Sequence, residues 1–136
     1  MENSKSQLSP YSLWRGLGVL SAIVLGVGAV LPWGHIYSEA IIGLDGDGLI
    51  ILIIAVLVLI LLLIRRVPIW ISLLLGLIAG LIGVIGFVEV GKVTNQIIGA
   101  RIGSGLYITI IGSIGIVVTS AMDISKSSKK IEQLED

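Results

Sequence analysis

The sequence has no cysteine, one histidine and one phenylalanine, and only 13% of its residues are charged. Ordinary soluble domains carry about 25% charge. Without cysteine there is no disulfide, no thiolate metal site and no cysteine nucleophile, and the redox compartment stays open. A 136-residue chain with so few polar groups cannot cover a water-facing surface. Nine basic and nine acidic residues cancel, which leaves no basic face for nucleic acid. Ionisable residues at bilayer depth, the usual marks of transport paths and intramembrane active sites, are also lacking. Glu89 and Asp123 stand at the ends of apolar runs, not within them. That weakens ion-pump, proton-relay and intramembrane-protease readings together. No phosphate-binding Gly-rich loop, nucleophile elbow or HExxH pattern occurs.

What the chain does have is hydrophobicity, with 55% apolar residues and a mean hydropathy of +1.07. Four apolar runs cover about 14–33, 48–64, 69–88 and 103–122. A hydrocarbon core of ~30 Å requires roughly 17–25 residues at ~1.5 Å each. An isolated strand cannot satisfy its backbone in lipid, so runs of this length predict helices despite their β-branched residues. Pro68 fits the first turn of the third, where its missing N–H costs nothing. The expected fold is all-α, an integral membrane four-helix bundle over 1–124. A polar cytoplasmic tail, 125–136, follows as a short helix or a disordered end. The first run is expected to be retained, because it is long for a signal peptide and Leu31-Pro32-Trp33 is not a small-residue cleavage site.

Charge sets the orientation. Lys5, Arg15, Arg65, Arg66, Lys126, Lys129 and Lys130 fall on one side of a four-span chain, and only Lys92 and Arg101 on the other. The positive-inside rule puts both termini in the cytoplasm of a multi-pass cell-membrane protein. Tyr11, Trp14 and Trp70 then mark the inner boundary, and Trp33, Tyr37, Phe87 and Tyr107 the outer one, as interfacial belts.

The chain also reads as two related hairpins. Ile41-Ile42-Gly43 precedes Gly46, Gly48, Leu49 and Ile51; Ile97-Ile98-Gly99 precedes Gly103, Gly105, Leu106 and Ile108. Two tandem repeats in parallel orientation, as in some transporters, and chance similarity in an Ile-, Leu- and Gly-rich sequence both account for this pattern.

Eighteen glycines are many for a helical protein, and in membranes small residues let helices approach closely. Gly76, Gly80, Gly83 and Gly86 form one stripe on the third span. Gly18, Ala22 and Gly26 form another on the first, and Gly105, Thr109, Gly112 and Thr119 a third on the fourth. The second span has none and is expected to face lipid over most of its surface. The stripes serve either internal packing or contact with another copy or protein.

Polar candidates are few. Asp45-Gly46-Asp47-Gly48 precedes the second span. Capping by Asp47 is the expected role, and a hard-cation site at Asp45 and Asp47 is the weaker alternative, since the calcium-loop ligand set is incomplete. His35 with Glu39 and Asp47 is a weak metal set. Glu89 and Arg101 are placed to pair across the second outer loop, and Asp123 to meet Arg65 or Arg66. No cofactor is expected.

The GLDGDG entry to the second span and GSGLYITIIGSIG in the fourth resemble small four-span prokaryotic membrane proteins of no assigned activity, and the Ile-rich, Cys-free composition looks archaeal. That resemblance implies no catalytic residues. Claudins share the four-span plan with both termini inside, but their paired loop cysteines, W-GLW motif and long first loop are missing. The expected function is non-enzymatic: contact between helices, as an accessory subunit or a self-assembling membrane component, with the bilayer and a homo-oligomer or another membrane protein as partners. A small oligomeric transporter or channel is the alternative, and an enzyme ranks third.

Overall fold

The computed structural model describes residues 10–64 and 68–135. It contains four helices: α1 (Pro10–Val30), α2 (Gly48–Leu63), α3 (Ile69–Gln96) and α4 (Ser104–Glu135). Three of them, α1, α3 and α4, are long and apolar enough to cross a membrane, and α2 is a shorter apolar helix of 16 residues. The apolar runs foretold these elements. Helix α3 outlasts its run, continuing past Val88 to Gln96, and α4 carries straight on through the expected tail to Glu135.

Close contacts fix the directions. Gly18, Gly28 and Gly112 bring α1 and α4 together, with Gly18 facing Thr119, Gly28 facing Thr109 and Gly112 facing Leu25. Residue numbers rise on one helix as they fall on the other, so α1 and α4 are antiparallel. Gly83 against Thr109, Gly80 against Ser113 and Gly76 against Ile116 make α3 antiparallel to α4 as well. Gly26 meets Ala55 and Gly18 meets Leu62, so α2 returns alongside α1. The buried core, including Leu25, Ile51, Val58, Ala79, Leu106 and Ile116, lies between these helices. Outward positions are large and apolar, such as Leu20, Val27, Ile53, Leu81 and Ile111, as a lipid-facing surface requires.

The all-α expectation is corrected in a cap formed by the segments that precede α2 and α4. Strands β1 (Pro32–Ile36), β2 (Glu39–Ile42) and β3 (Ala100–Ile102) form a three-stranded antiparallel sheet in the order β2-β1-β3. These segments escape the rule that confines lipid-embedded backbone to helices, because they leave the apolar runs. They pair with each other instead. Tyr37 turns β1 into β2 with φ 55, a left-handed conformation that glycine or asparagine normally supplies. On the other side Ala100 N–H closes a turn on Ile97 C=O, with Gly99 at φ 92.

Helix α2 starts at Gly48 and α4 at Ser104, one residue ahead of Gly105, the counterpart of Gly48 in the repeat. The segments ahead of them differ, with a β-hairpin before α2 and one short strand before α4. The equivalent leucines also diverge, Leu49 being exposed and Leu106 buried.

Candidate functional site

Proline shapes the C-terminal end of α1. Leu31 N–H bonds to Val27 C=O, but Pro32, next in line for Gly28 C=O, has no N–H. The Trp33 indole takes the vacancy, its Nε1 donating to Gly28 C=O at 3.1 Å. A register shift between Pro32 and Gly34 makes Trp33 the extra residue of a bulge in β1, and bulges re-aim side chains. Trp33 is buried, and its ring lies against Gly43, Gly86 of α3 and Gly105 of α4. A methyl group at Gly86 would stand 3.1 Å from the ring, and one at Gly105 2.8 Å. Trp33 is therefore not a belt residue but the plug that joins cap to helices. Its own carbonyl accepts from Gly103 N–H at 2.8 Å. Phe87 and Tyr107 meet edge to face, 5.6 Å between centroids.

The glycine stripes point inward. A Cβ at Gly76 would come within 2.8 Å of Ile116, one at Gly80 within 3.1 Å of Ser113 Oγ, and one at Gly112 within 2.6 Å of the Leu25 backbone. Gly83 faces Thr109, Gly18 faces Leu62 and Thr119, Gly26 faces Ala55, and Ala22 is buried. Internal packing uses these stripes. Along α4 runs a row of buried groups, Thr109, Ser113, Ile116, Ser120 and Asp123. Ser113 and Thr119 donate to carbonyls of their own helix. Ile116, fully buried against Gly76, interrupts the polar part of the row.

At the end of the helices away from the cap, Arg15 of α1 reaches the C-terminus of α2. Its Nε donates to Leu62 C=O at 2.7 Å and an Nη to Ile64 C=O at 3.3 Å. Unsatisfied carbonyls and the negative end of the helix dipole attract a cation there. Asp123 is buried on α4, with Oδ1 lacking a hydrogen-bond partner among the described residues. Arg15 and Asp123 lie three and four residues beyond the Gly18–Thr119 contact. The expected partners Arg65 and Arg66 lie outside the described residues. Lys126 Nζ sits 5.0 Å over the Trp14 ring, a cation–π pair at an exposed site.

The remaining candidates belong to the cap. Asp47 holds the N-cap position of α2, yet its side chain makes no capping bond; its backbone carbonyl accepts from Ile50 and Ile51. Its αR conformation, φ −69 and ψ −10, differs from the extended one in which a side chain folds back onto the first turn. Asp45 ends the 3₁₀ turn Gly43–Asp45. Both carboxylates are exposed, and His35, Glu39 and Asp47 are not gathered, there being no metal-competent cluster of three such residues among those described.

A cavity of about 230 Å³ lies between the sheet and the C-terminal part of α3. Ile36, Ile41, Val90 and Val93 contribute apolar lining, and His35, Glu89, Thr94 and Arg101 polar lining. His35 and Arg101 are cross-strand partners, so their side chains share a sheet face. The Glu89–Arg101 pairing expected from sequence becomes a shared cavity, with one residue on α3 and the other on β3. Sequence reading missed the roles of Trp33 and Arg15. The available signals were Pro32 just before the tryptophan, and one arginine at the start of an apolar run. In comparisons with known proteins, no family model, curated protein or solved structure matches this chain.

Proposed function

We propose that the chain is a multi-pass cell-membrane protein with four spans and both termini in the cytoplasm. It works without catalysis, as an accessory subunit or self-assembling component of a membrane complex. The parallel course of α1 and α3 supports four spans, since the chain must return between them. Helix α2 runs from the level of Ala29, which Gly48 approaches, to that of Arg15, which bonds Leu62. That extent alongside α1 supports reading α2 as the fourth crossing. Seven basic residues on the inner side set the orientation.

The single observation that carries the contact reading is the outer cap. Ile98 is 93% exposed and Tyr37 76%, and the turn glycine beside Ile98 lies close to the Tyr37 ring. Ile41, Ile42 and Leu44 of the same cap are exposed as well, and apolar residues displayed together mark contact surfaces. The contact thus moves from the glycine stripes, which are used within the chain, to this cap. Purification in mild detergent, with mass measurement and identification of co-purifying chains, tests it. A defined homo-oligomer or a stoichiometric partner that is lost in Ile98→Asp is expected. A monodisperse monomer without a partner contradicts it.

The α4 hydroxyl row favours transport as a second reading, but Ile116 closes the row inside one chain. A conducting path would have to form between copies.

A further inference from the structure

We propose that the cavity between the sheet and α3 binds a small zwitterion, its anionic end at Arg101 and its cationic end at Glu89. The two charges of opposite sign come from different elements, β3 and α3, and line one space of about 230 Å³. A pocket that holds both signs over an apolar floor, here Ile36, Val90 and Val93, selects a molecule that carries both. A simple anion leaves Glu89 facing it unfavourably, and a simple cation does the same to Arg101. The guanidinium offers a planar fork of donors that matches a phosphate or carboxylate. His35, the cross-strand neighbour of Arg101, adds a further donor at the anionic end. The space, below the roughly 300–1,000 Å³ of drug-sized sites, suits a headgroup-sized molecule.

Two sources supply this chemistry. Glu89 directly follows the apolar run that ends at Val88, so the cavity stands at the level of lipid headgroups if α3 spans the bilayer. A phosphoethanolamine group reaches it either as a free solute or on a phospholipid. The test measures binding by the detergent-solubilised full chain to phosphoethanolamine, to ethanolamine and to inorganic phosphate. A parallel arm compares nanodiscs of phosphatidylethanolamine with nanodiscs of phosphatidylglycerol. Phosphoethanolamine is expected to bind at least tenfold more tightly than either fragment, and Glu89→Gln and Arg101→Gln should each weaken it about tenfold. Val93→Phe, which fills the space without touching a charge, should weaken it too. Binding of the free molecule assigns a soluble ligand. Stabilisation only by phosphatidylethanolamine, lost in the same variants, assigns the lipid headgroup. No binding in either arm, or binding unchanged in Glu89→Gln and Arg101→Gln, overturns the proposal. All three residues are at least partly exposed, so the variants should fold, and an unchanged melting temperature without ligand checks that.

Discussion

Trp33 Nε1 donates to Gly28 C=O at 3.1 Å, where Pro32 has no N–H to offer. One side chain thus completes a helix that its own sequence terminates, and fills the space between cap and helices. Trp33→Phe keeps most of the volume but leaves a buried carbonyl unpaired, a cost of about 1–3 kcal/mol. Trp33→Ala should cost about 3–5 kcal/mol. Melting curves in detergent should rank wild type above Phe and Phe above Ala. Equal melting of wild type and Phe would show that the hydrogen bond contributes nothing.

The four helices were legible because apolar runs of membrane length have few alternatives in lipid. The sheet was not. Its turn uses Tyr37-Ser38, without a glycine or asparagine to announce a hairpin, and β3 has only three residues. Its partners lie far apart in the chain, Gly34 with Ile102, a separation at which local pattern carries no pairing information. The glycine stripes were visible as spacing, but spacing cannot say whether the facing helix belongs to the same chain. The Glu89–Arg101 relationship was visible as two charges flanking a loop, and the cavity between them was not.

Glycines on the stripes should not be equivalent. A methyl at Gly112 would meet the Leu25 backbone at 2.6 Å, whereas one at Gly80 would meet the Ser113 hydroxyl at 3.1 Å. A side chain can turn aside more cheaply than a helix backbone can shift. Gly112→Ala should destabilise clearly, by about 1–3 kcal/mol as for overpacked cores, and Gly80→Ala by less. Gly80→Leu exceeds what Ser113 can yield and should disrupt packing. The reverse order for the two alanine variants would place the tightest contact elsewhere.

Arg15 ties α1 to the end of α2 through Leu62 and Ile64. Hydrogen bonds that involve a charged group are worth about 1.5–3 kcal/mol, so Arg15→Gln should destabilise by that order. Arg15→Lys should recover only part, because an ammonium does not reproduce the forked donor. Combined with Asp123→Asn, the loss should be less than the sum of the two single losses, since removing the cation leaves a buried carboxylate uncompensated. Additive losses in a double-mutant cycle would separate the two residues.

Asp47 makes no side-chain capping bond, so Asp47→Ala should be nearly neutral, within ~0.5 kcal/mol as for exposed sites without special features. A side-chain cap would cost about 0.5–2 kcal/mol on the same change. Millimolar Ca²⁺ should leave the melting curves of wild type and of Asp45→Asn/Asp47→Asn alike. A Ca²⁺-dependent rise confined to the wild type would restore the cation site by mass action.

Topology tests the account most directly, because the chain has no cysteine to interfere with labelling. Single cysteines at Ser38, in the β1–β2 turn, and at Asn95, near the end of α3, should react with an impermeant thiol reagent in intact cells. One at Ser128, on α4 beyond the apolar run, should react only after the cells are opened. Equal labelling of Ser38 and Asn95 with protection of Ser128 is the predicted result. Labelling at only one of the two outer positions, or at Ser128 in intact cells, would contradict a four-span chain with its C-terminus inside.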